Sequence, residues 1–205
     1  LSRGLGDVYK RQSLYDIPVV GVTGSVGKTS TKDVIASVLS KKYKTLKTEG
    51  NNNNNIGLPF TILNLKDHEA AVIEMGMNHF NEISLLTKIA KPTISVITNI
   101  GTSHIGNLGS RQNILKAKLE ILDGMQPDAP LILNADDPHL APLAGTLDRP
   151  VYTYGLNAKD ADVTAEDVQE GENATTFTIV TKDGRTFPAE LPCVGPVSYT
   201  HLRAH

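Results

Sequence analysis

The stretch IPVVGVTGSVGKTST over residues 17–31 holds the side chains best suited to chemistry: Gly24 and Gly27, then Lys28, Thr29 and Ser30 without a break. Between a buried strand and a helix, such a run turns its backbone amides toward phosphate oxygens. The helix N-terminus adds its positive end, the lysine a point charge and the threonine hydroxyl a ligand for Mg²⁺. Gly24, Ser25, Val26, Gly27, Lys28, Thr29 and Ser30 are therefore the expected contacts to a nucleotide phosphate. The general pattern GxxxxGK[ST] places its first glycine at position 22, where this chain has Val22 with glycines at 21 and 24, so the match is to a variant loop.

Three further positions can join that loop. The run AAVIEMG finishes with Glu74 before Gly76, and a carboxylate at the end of a parallel strand can reach a metal held by Thr29. The run TISVITNI leads into GTSHIGNLGS, which puts Asn99 and His104 on the same rim. In NILKAKLEIL, projection at about 100° per residue sets Lys118 about 40° from Ile114, inside the arc of Leu115, Leu119, Ile121 and Leu122. An ammonium among apolar groups is desolvated and its pKa falls. The neutral amine can then take up CO₂ as a carbamate, an anionic oxygen ligand for a hard metal. Alternatively the side chain passes between its neighbours to water. Lys116 falls on the polar side near Glu120, where an ion pair one turn apart is expected.

Short apolar runs alternating with amphipathic stretches must position these groups. We expect strands near 17–22, 44–48, 70–75, 93–99 and 130–134, with helices near 28–41, 57–64, 81–90, 110–123 and 137–145. That order predicts an α/β fold: a mostly parallel sheet with a phosphate loop and helices on both faces. From Val151 the texture changes to alternating Thr, Val, Phe and Ile, with Asp183-Gly184 as a hairpin turn between 176–181 and 185–191. The expected organisation is a core over 13–150 and a small antiparallel β extension over 151–195. Residues 1–12 and 196–205 have no sustained period, resemble translated adaptor or assembly scars and are set aside. An internal fragment of a longer protein is the expectation.

Composition limits the alternatives. The 205 residues carry a net charge of −2, which gives no basic field to attract nucleic acid. The basic groups are unevenly placed: residues 1–119 hold 15 Lys and Arg against 8 Asp and Glu, while 120–205 hold 5 against 14. An anionic ligand is drawn to the first part. No apolar run approaches the roughly 18 residues of a membrane span, and one cysteine, Cys193, forms no internal disulfide. A cytoplasmic protein is expected.

The stretches TGSVGKTS at 23–30, TEGNNNNNIGLP at 48–59, VIEMGMNHFNEI at 72–83, TNIGTSHIGNLGS at 98–110, KAKLEI at 116–121 and LNADDP at 133–138 resemble the central ATPase domain of the Mur ligases. The Asn-rich loop and EMGMNH point within that family to the MurF type. The phosphate loop alone is shared with other ligases, folylpolyglutamate synthase among them. The resemblance implies that Lys28 and Thr29 hold the phosphates of ATP and a first Mg²⁺, with Glu74 on that metal. It implies that His104 and a CO₂-derived carbamate on Lys118 hold a second Mg²⁺, making Lys28, His104 and Lys118 catalytic. Asn51, Asn53 and Asn54 are implied on the substrate side, and Asn134 and Asp137 toward the nucleotide. The implied reaction is an ATP-dependent amide ligation in peptidoglycan precursor synthesis. It adds D-alanyl-D-alanine to a UDP-N-acetylmuramoyl-tripeptide through an acyl phosphate, in a monomeric enzyme.

Two departures accompany the resemblance. After Gly195 the family continues with a GxHNxxNA-like helix that contacts adenine, but this chain reads PVSY. The family's domains for the uridine nucleotide and the amine substrate are also missing, so this chain alone is expected not to complete ligation. The remaining alternatives are a superfamily ligase with another acceptor, a P-loop NTPase without acyl transfer, and an inert fragment that folds without activity. The NTPase predicts an Asp-ended metal-binding strand and gives an inward Lys118 no task.

Overall fold

A computed structural model describes residues 16–192; the ends set aside above, and the expected place of the adenine-contacting helix, lie outside them. The elements in chain order are β1 (Val19–Thr23), α1 (Lys28–Leu39), β2 (Thr45–Lys47), α2 (Gly57–Leu63), β3 (Ala70–Glu74), α3 (Glu82–Ala90) and β4 (Ile94–Ile97). They continue with α4 (Ile105–Leu108), α5 (Arg111–Leu119), β5 (Leu131–Asn134), β6 (Val151–Gly155), β7 (Val163–Glu170), β8 (Ala174–Thr181) and β9 (Thr186–Pro192). The described strands share one sheet, in the order β2-β3-β1-β4-β5-β6-β7-β8-β9.

The α/β expectation holds, and burial explains it. Strands β1 and β3 are buried along their whole length, because a parallel strand covered on both faces has no solvent side. On one face Val20, Val22, Val72 and Val96 pack with Ala36 of α1. On the other, Ile73 and Ile97 meet Leu58, Ile83, Ile114 and Ile121 from α2, α3, α5 and the turn after it. Among the described residues no helix is long and apolar enough to cross a membrane.

The expectations fail where distant contacts override local pattern. The stretch 110–123 is not one helix: α5 ends at Leu119 and a 3₁₀ turn covers Glu120–Gly124. There the Glu120 carboxylate accepts from the backbone N–H groups of Asn81 and Ser84, at 2.7 and 3.2 Å, and so caps the start of α3. The Thr87 hydroxyl donates to the Ile121 carbonyl at 2.7 Å. Gly124 lies so near α3 that an added Cβ would stand 2.3 Å from the Thr87 carbonyl. The pairing of Lys116 with Glu120 is consequently absent, and the Lys116 ammonium lies 5.9 Å over the Phe80 ring.

The helix expected at 137–145 is a 3₁₀ turn over Ala141–Gly145, because the Asp137 carboxylate takes the N–H groups of His139 and Leu140 at 2.8 and 3.2 Å. Val151 opens the next parallel strand, not an antiparallel one: β6 pairs parallel with β5, and β7 parallel with β6. Antiparallel pairing begins only between β7 and β8. The hairpin turn stands where Asp183-Gly184 placed it, with Gly184 at φ 82°.

Among the described residues, one buried side-chain polar group in the sheet has no hydrogen-bond partner. Ser95 is fully buried in β4 beside Gly21, and its hydroxyl makes no hydrogen bond. An unpaired buried hydroxyl costs about 1 kcal/mol or more, so Ser95→Ala is expected to raise stability by about 1 kcal/mol. The midpoint of urea unfolding checks this, and a lower midpoint for the variant would contradict it.

Candidate functional site

Strand β1 lies between β3 and β4, and the chain crosses from one side of β1 to the other after β3. An open parallel sheet leaves its ligand crevice at that crossing, outside the carboxyl ends of the strands. The phosphate loop follows β1, Glu74 closes β3, and the loop 98–104 follows β4, so three distant segments meet there.

The loop between β1 and α1 is tied to the segment after β4. The backbone N–H groups of Ser25 and Val26 donate to the carbonyl and side-chain oxygen of Asn99, each at 3.0 Å. The Thr98 hydroxyl donates to the Val26 carbonyl at 2.7 Å, and the Ser25 hydroxyl accepts from the Gly101 N–H at 2.9 Å. Gly24 has φ 151° and faces Thr98 so closely that a Cβ would stand 1.9 Å from the hydroxyl oxygen. Gly27, at φ 77°, turns the chain into α1. The N–H groups of Lys28, Thr29 and Ser30 precede the first helical bond, from Thr31 to the Gly27 carbonyl at 2.9 Å, and so lack helical acceptors, whereas those of Ser25 and Val26, expected on a phosphate, are taken up by Asn99.

Lys28 donates from Nζ to the carbonyls of Gly24 and Ser25, at 3.0 and 3.2 Å. Burial pushes its ammonium below the ordinary lysine value, and the Glu74 charge opposes that. The Thr29 hydroxyl donates to Glu74 Oε2 at 3.0 Å, so helix α1 and strand β3 meet at these two oxygens. Glu74 is almost wholly buried, and its Oε1 accepts from the Asn53 side chain at 2.8 Å.

A cleft of about 290 Å³ is lined by Lys28, Asn53, Asn54 and His104. His104 takes φ 66° at the start of α4. Partial desolvation and the nearby charges of Lys118 and Lys28 push its imidazole below the ordinary value, which favours the neutral ring. A larger cleft, about 400 Å³, lies between α1, β2 and α2 at the sheet edge and contains none of the loop's residues.

Lys118 is 1 % exposed, so its side chain is buried and does not extend into bulk water. Among the described residues its amine has no ion pair or hydrogen bond. Burial, then the Lys28 charge, lowers its pKa to about 7.

The remaining sequence candidates are each held by bonds to the backbone of neighbouring segments. Asn54 accepts from the N–H groups of Ile56 and Gly57 at the start of α2, at 3.1 and 2.8 Å. Asn51 is exposed, outside the cleft, and its carbonyl accepts from the Asn53 N–H at 2.7 Å. Asn134 donates to the Thr98 carbonyl at 3.0 Å and Asp137 accepts from the Ile100 N–H at 2.6 Å, so both brace the loop after β4. Two participants escaped the sequence reading: Lys32, buried in α1, and Thr48, whose hydroxyl accepts from the Glu74 N–H at 2.9 Å. The projection used for Lys118 would have found Lys32, which falls between Ile35 and Ala36 on the apolar side of α1.

The sequence matches the Mur ligase middle domain over residues 22–200. It is 48 % identical over 162 residues to the UDP-N-acetylmuramoyl-tripeptide--D-alanyl-D-alanine ligase of Bacillus subtilis, covering 78 % of this chain and 35 % of that protein. Among solved structures, MurF from Acinetobacter baumannii superposes with TM-score 0.84 at 33 % identity, over 96 % of this chain and 43 % of that one. The MurF ligase from Thermotoga maritima in complex with ADP gives TM-score 0.85 at 29 % identity, over 99 % and 47 %. This chain thus spans about a third of the length of that curated relative.

Proposed function

From a chain that belongs to the family of Mur ligase middle domains, we propose the ATP-handling segment of a D-alanyl-D-alanine-adding ligase of peptidoglycan precursor synthesis. The observation that carries acyl transfer over simple nucleotide hydrolysis is the unpartnered, buried Lys118, whose charge acts on His104 and which feels that of Lys28 in the phosphate loop. The Glu-ended strand β3 points the same way, since the hydrolase alternative calls for Asp there. The assignment to D-alanyl-D-alanine rests on the named relatives.

The donor set fits magnesium. Thr29 and Glu74 offer two hard oxygens, and a Mg²⁺ site commonly uses one or two protein oxygens with phosphates and water completing the shell. Among the described residues there is no cluster of three or more His, Cys, Asp or Glu side chains that could hold a metal unaided. In this reading Thr29 and Glu74 hold one ion, and His104 with a carbamate on Lys118 holds a second. Bound magnesium offsets the repulsion between the anionic oxygens that exchange the phosphoryl group.

The chain's own groups account for the remaining requirements. A carboxylate is a poor acyl donor because its leaving group is oxide. Its oxygen therefore attacks the γ-phosphorus of ATP, breaking the bond to ADP and giving an acyl phosphate. The free amine of D-alanyl-D-alanine then attacks the acyl carbon, phosphate leaves, and the nitrogen loses a proton to form the amide. Lys28 and the first amides of α1 hold the phosphates in line, and the cleft lined by Asn53 and Asn54 receives the UDP-N-acetylmuramoyl-tripeptide carboxylate. The reading includes a cytoplasmic, monomeric enzyme, with ligation a property of the longer polypeptide and nucleotide binding that of this segment.

The test supplies the contiguous polypeptide with ATP, magnesium, UDP-N-acetylmuramoyl-tripeptide and D-alanyl-D-alanine. Equal amounts of ADP and UDP-N-acetylmuramoyl-pentapeptide are expected. ADP release indifferent to both acceptor and amine would make the protein a hydrolase; product formed only with a single amino acid would move it to another ligase.

A further inference from the structure

We propose that Lys32 and Thr48 are positioning residues of the Thr29 and Glu74 pair, holding the strand-end carboxylate at the separation from the helix hydroxyl that a magnesium ion needs. This rests on the reading of that pair as metal donors. Lys32 is 2 % exposed, and its Nζ donates to the Thr48 carbonyl at 2.8 Å. Its nearest carboxylate, Asp33 at 3.3 Å, is about half exposed and also bonded to Lys47 at 2.8 Å. The buried ammonium is therefore satisfied chiefly by a backbone carbonyl at the end of β2.

Thr48 carries that contact to the site. It is fully buried, its N–H donates to the Val72 carbonyl at 3.0 Å, and its hydroxyl accepts from the Glu74 N–H at 2.9 Å. A closed circuit results: from α1 through Lys32 to Thr48, on to Glu74, and back to α1 through the 3.0 Å bond from Thr29. Adjacent ligands of an octahedron with bonds of about 2.05 Å stand about 2.9 Å apart. The two oxygens are at that spacing already.

The two clasps differ in what an ion does to them. Were Thr29 and Glu74 both to hold an ion, the two oxygens of their bond would serve as its donors and that bond would be given up. The Lys32 and Thr48 contacts use other atoms and persist. They keep helix and strand in register when the direct bond is gone, and they supply the buried Glu74 N–H with its acceptor.

Titration of the 205-residue chain with ADP, with magnesium and with EDTA in its place, separates this from a role in folding alone. Lys32→Met and Thr48→Val are each expected to weaken the magnesium-dependent gain in ADP affinity by about tenfold, while affinity in EDTA changes less than about twofold. Thr48→Ser, which keeps the hydroxyl, is expected to restore the gain. Thermal melts of the free proteins set a temperature at which all are folded. A wild-type gain that survives in both Lys32→Met and Thr48→Val overturns the positioning role alone. Equal losses with and without magnesium also overturn it, because a purely structural part lowers both. A wild-type chain that binds ADP with no magnesium dependence overturns the metal reading of Thr29 and Glu74 and this proposal with it.

Discussion

Lys28→Met is expected to weaken ATP binding by roughly 10- to 100-fold, the equivalent of a charge-assisted hydrogen bond worth about 1.5–3 kcal/mol. ADP should lose less, because a lysine at this position reaches the β- and γ-phosphates and ADP lacks the outer one. In the contiguous polypeptide, on the proposed ligase reading, ADP release dependent on D-alanyl-D-alanine should fall further, by about 10²- to 10³-fold, as when one preorganised donor to a developing charge is removed. The structure gives the reason for the larger effect. The Lys28 ammonium is desolvated among the carbonyls of Gly24 and Ser25, where its field is least screened by water. Lys28→Arg is not expected to rescue, because a planar fork does not replace a point charge within this tight loop. Calorimetric titration with each nucleotide and a melt of the free protein check the result. Equal losses for ATP and ADP would remove the assignment of Lys28 to the outer phosphates.

Lys118→Met should separate stability from function. Without metal, nucleotide or CO₂, the wild-type amine has a pKa of about 7 when folded against the ordinary 10.5. Between those values the unfolded chain binds more protons, so stability rises with pH through the window and is flat at its lower level below about 7. At neutral pH the desolvated ammonium is a burden on the order of a few kcal/mol. The methionine variant should therefore be the more stable at pH 7 and should lose much of the rise toward pH 10. Some slope will remain, since burial shifts Lys28 in the same direction. Urea unfolding at the two pH values in EDTA measures both effects. Ligation in the contiguous polypeptide should fall by at least about 100-fold with the variant, as expected when a charge-stabilising group is lost. With isotope-labelled bicarbonate and magnesium, a carbamate carbon resonance should appear in the wild type and be absent from Lys118→Met. Identical spectra for the two proteins would leave the carbamate without support.

Both effects come from residues that the sequence singled out, for reasons that reach different distances. Lys28 is legible because the loop's chemistry is local: glycines, lysine and threonine are consecutive, and the strand and helix on either side are the adjoining segments. Lys118 is legible because helical periodicity alone turns it inward, even though the helix tightens at Glu120. Hidden from the sequence was the identity of each partner. Asn53 bonds to the Glu74 carboxylate from a loop that, by local pattern alone, had no link to it. Asn134 and Asp137, which the resemblance places toward the nucleotide, bond to the Thr98 carbonyl and the Ile100 N–H of the loop after β4.

The sequence by itself determined the alternation of strands and helices, the phosphate loop at the end of β1, the carboxylate closing β3 and the inward lysine. Each follows from backbone sterics, hydrophobic period or residue type over a few turns of chain. The tertiary structure alone decided which polar group satisfies which. A buried donor or acceptor takes whatever partner the packing brings within about 3 Å, and at this site that partner comes from another strand or loop. Thus Thr29 meets Glu74, Lys32 meets Thr48, and the glycine loop rests on Asn99.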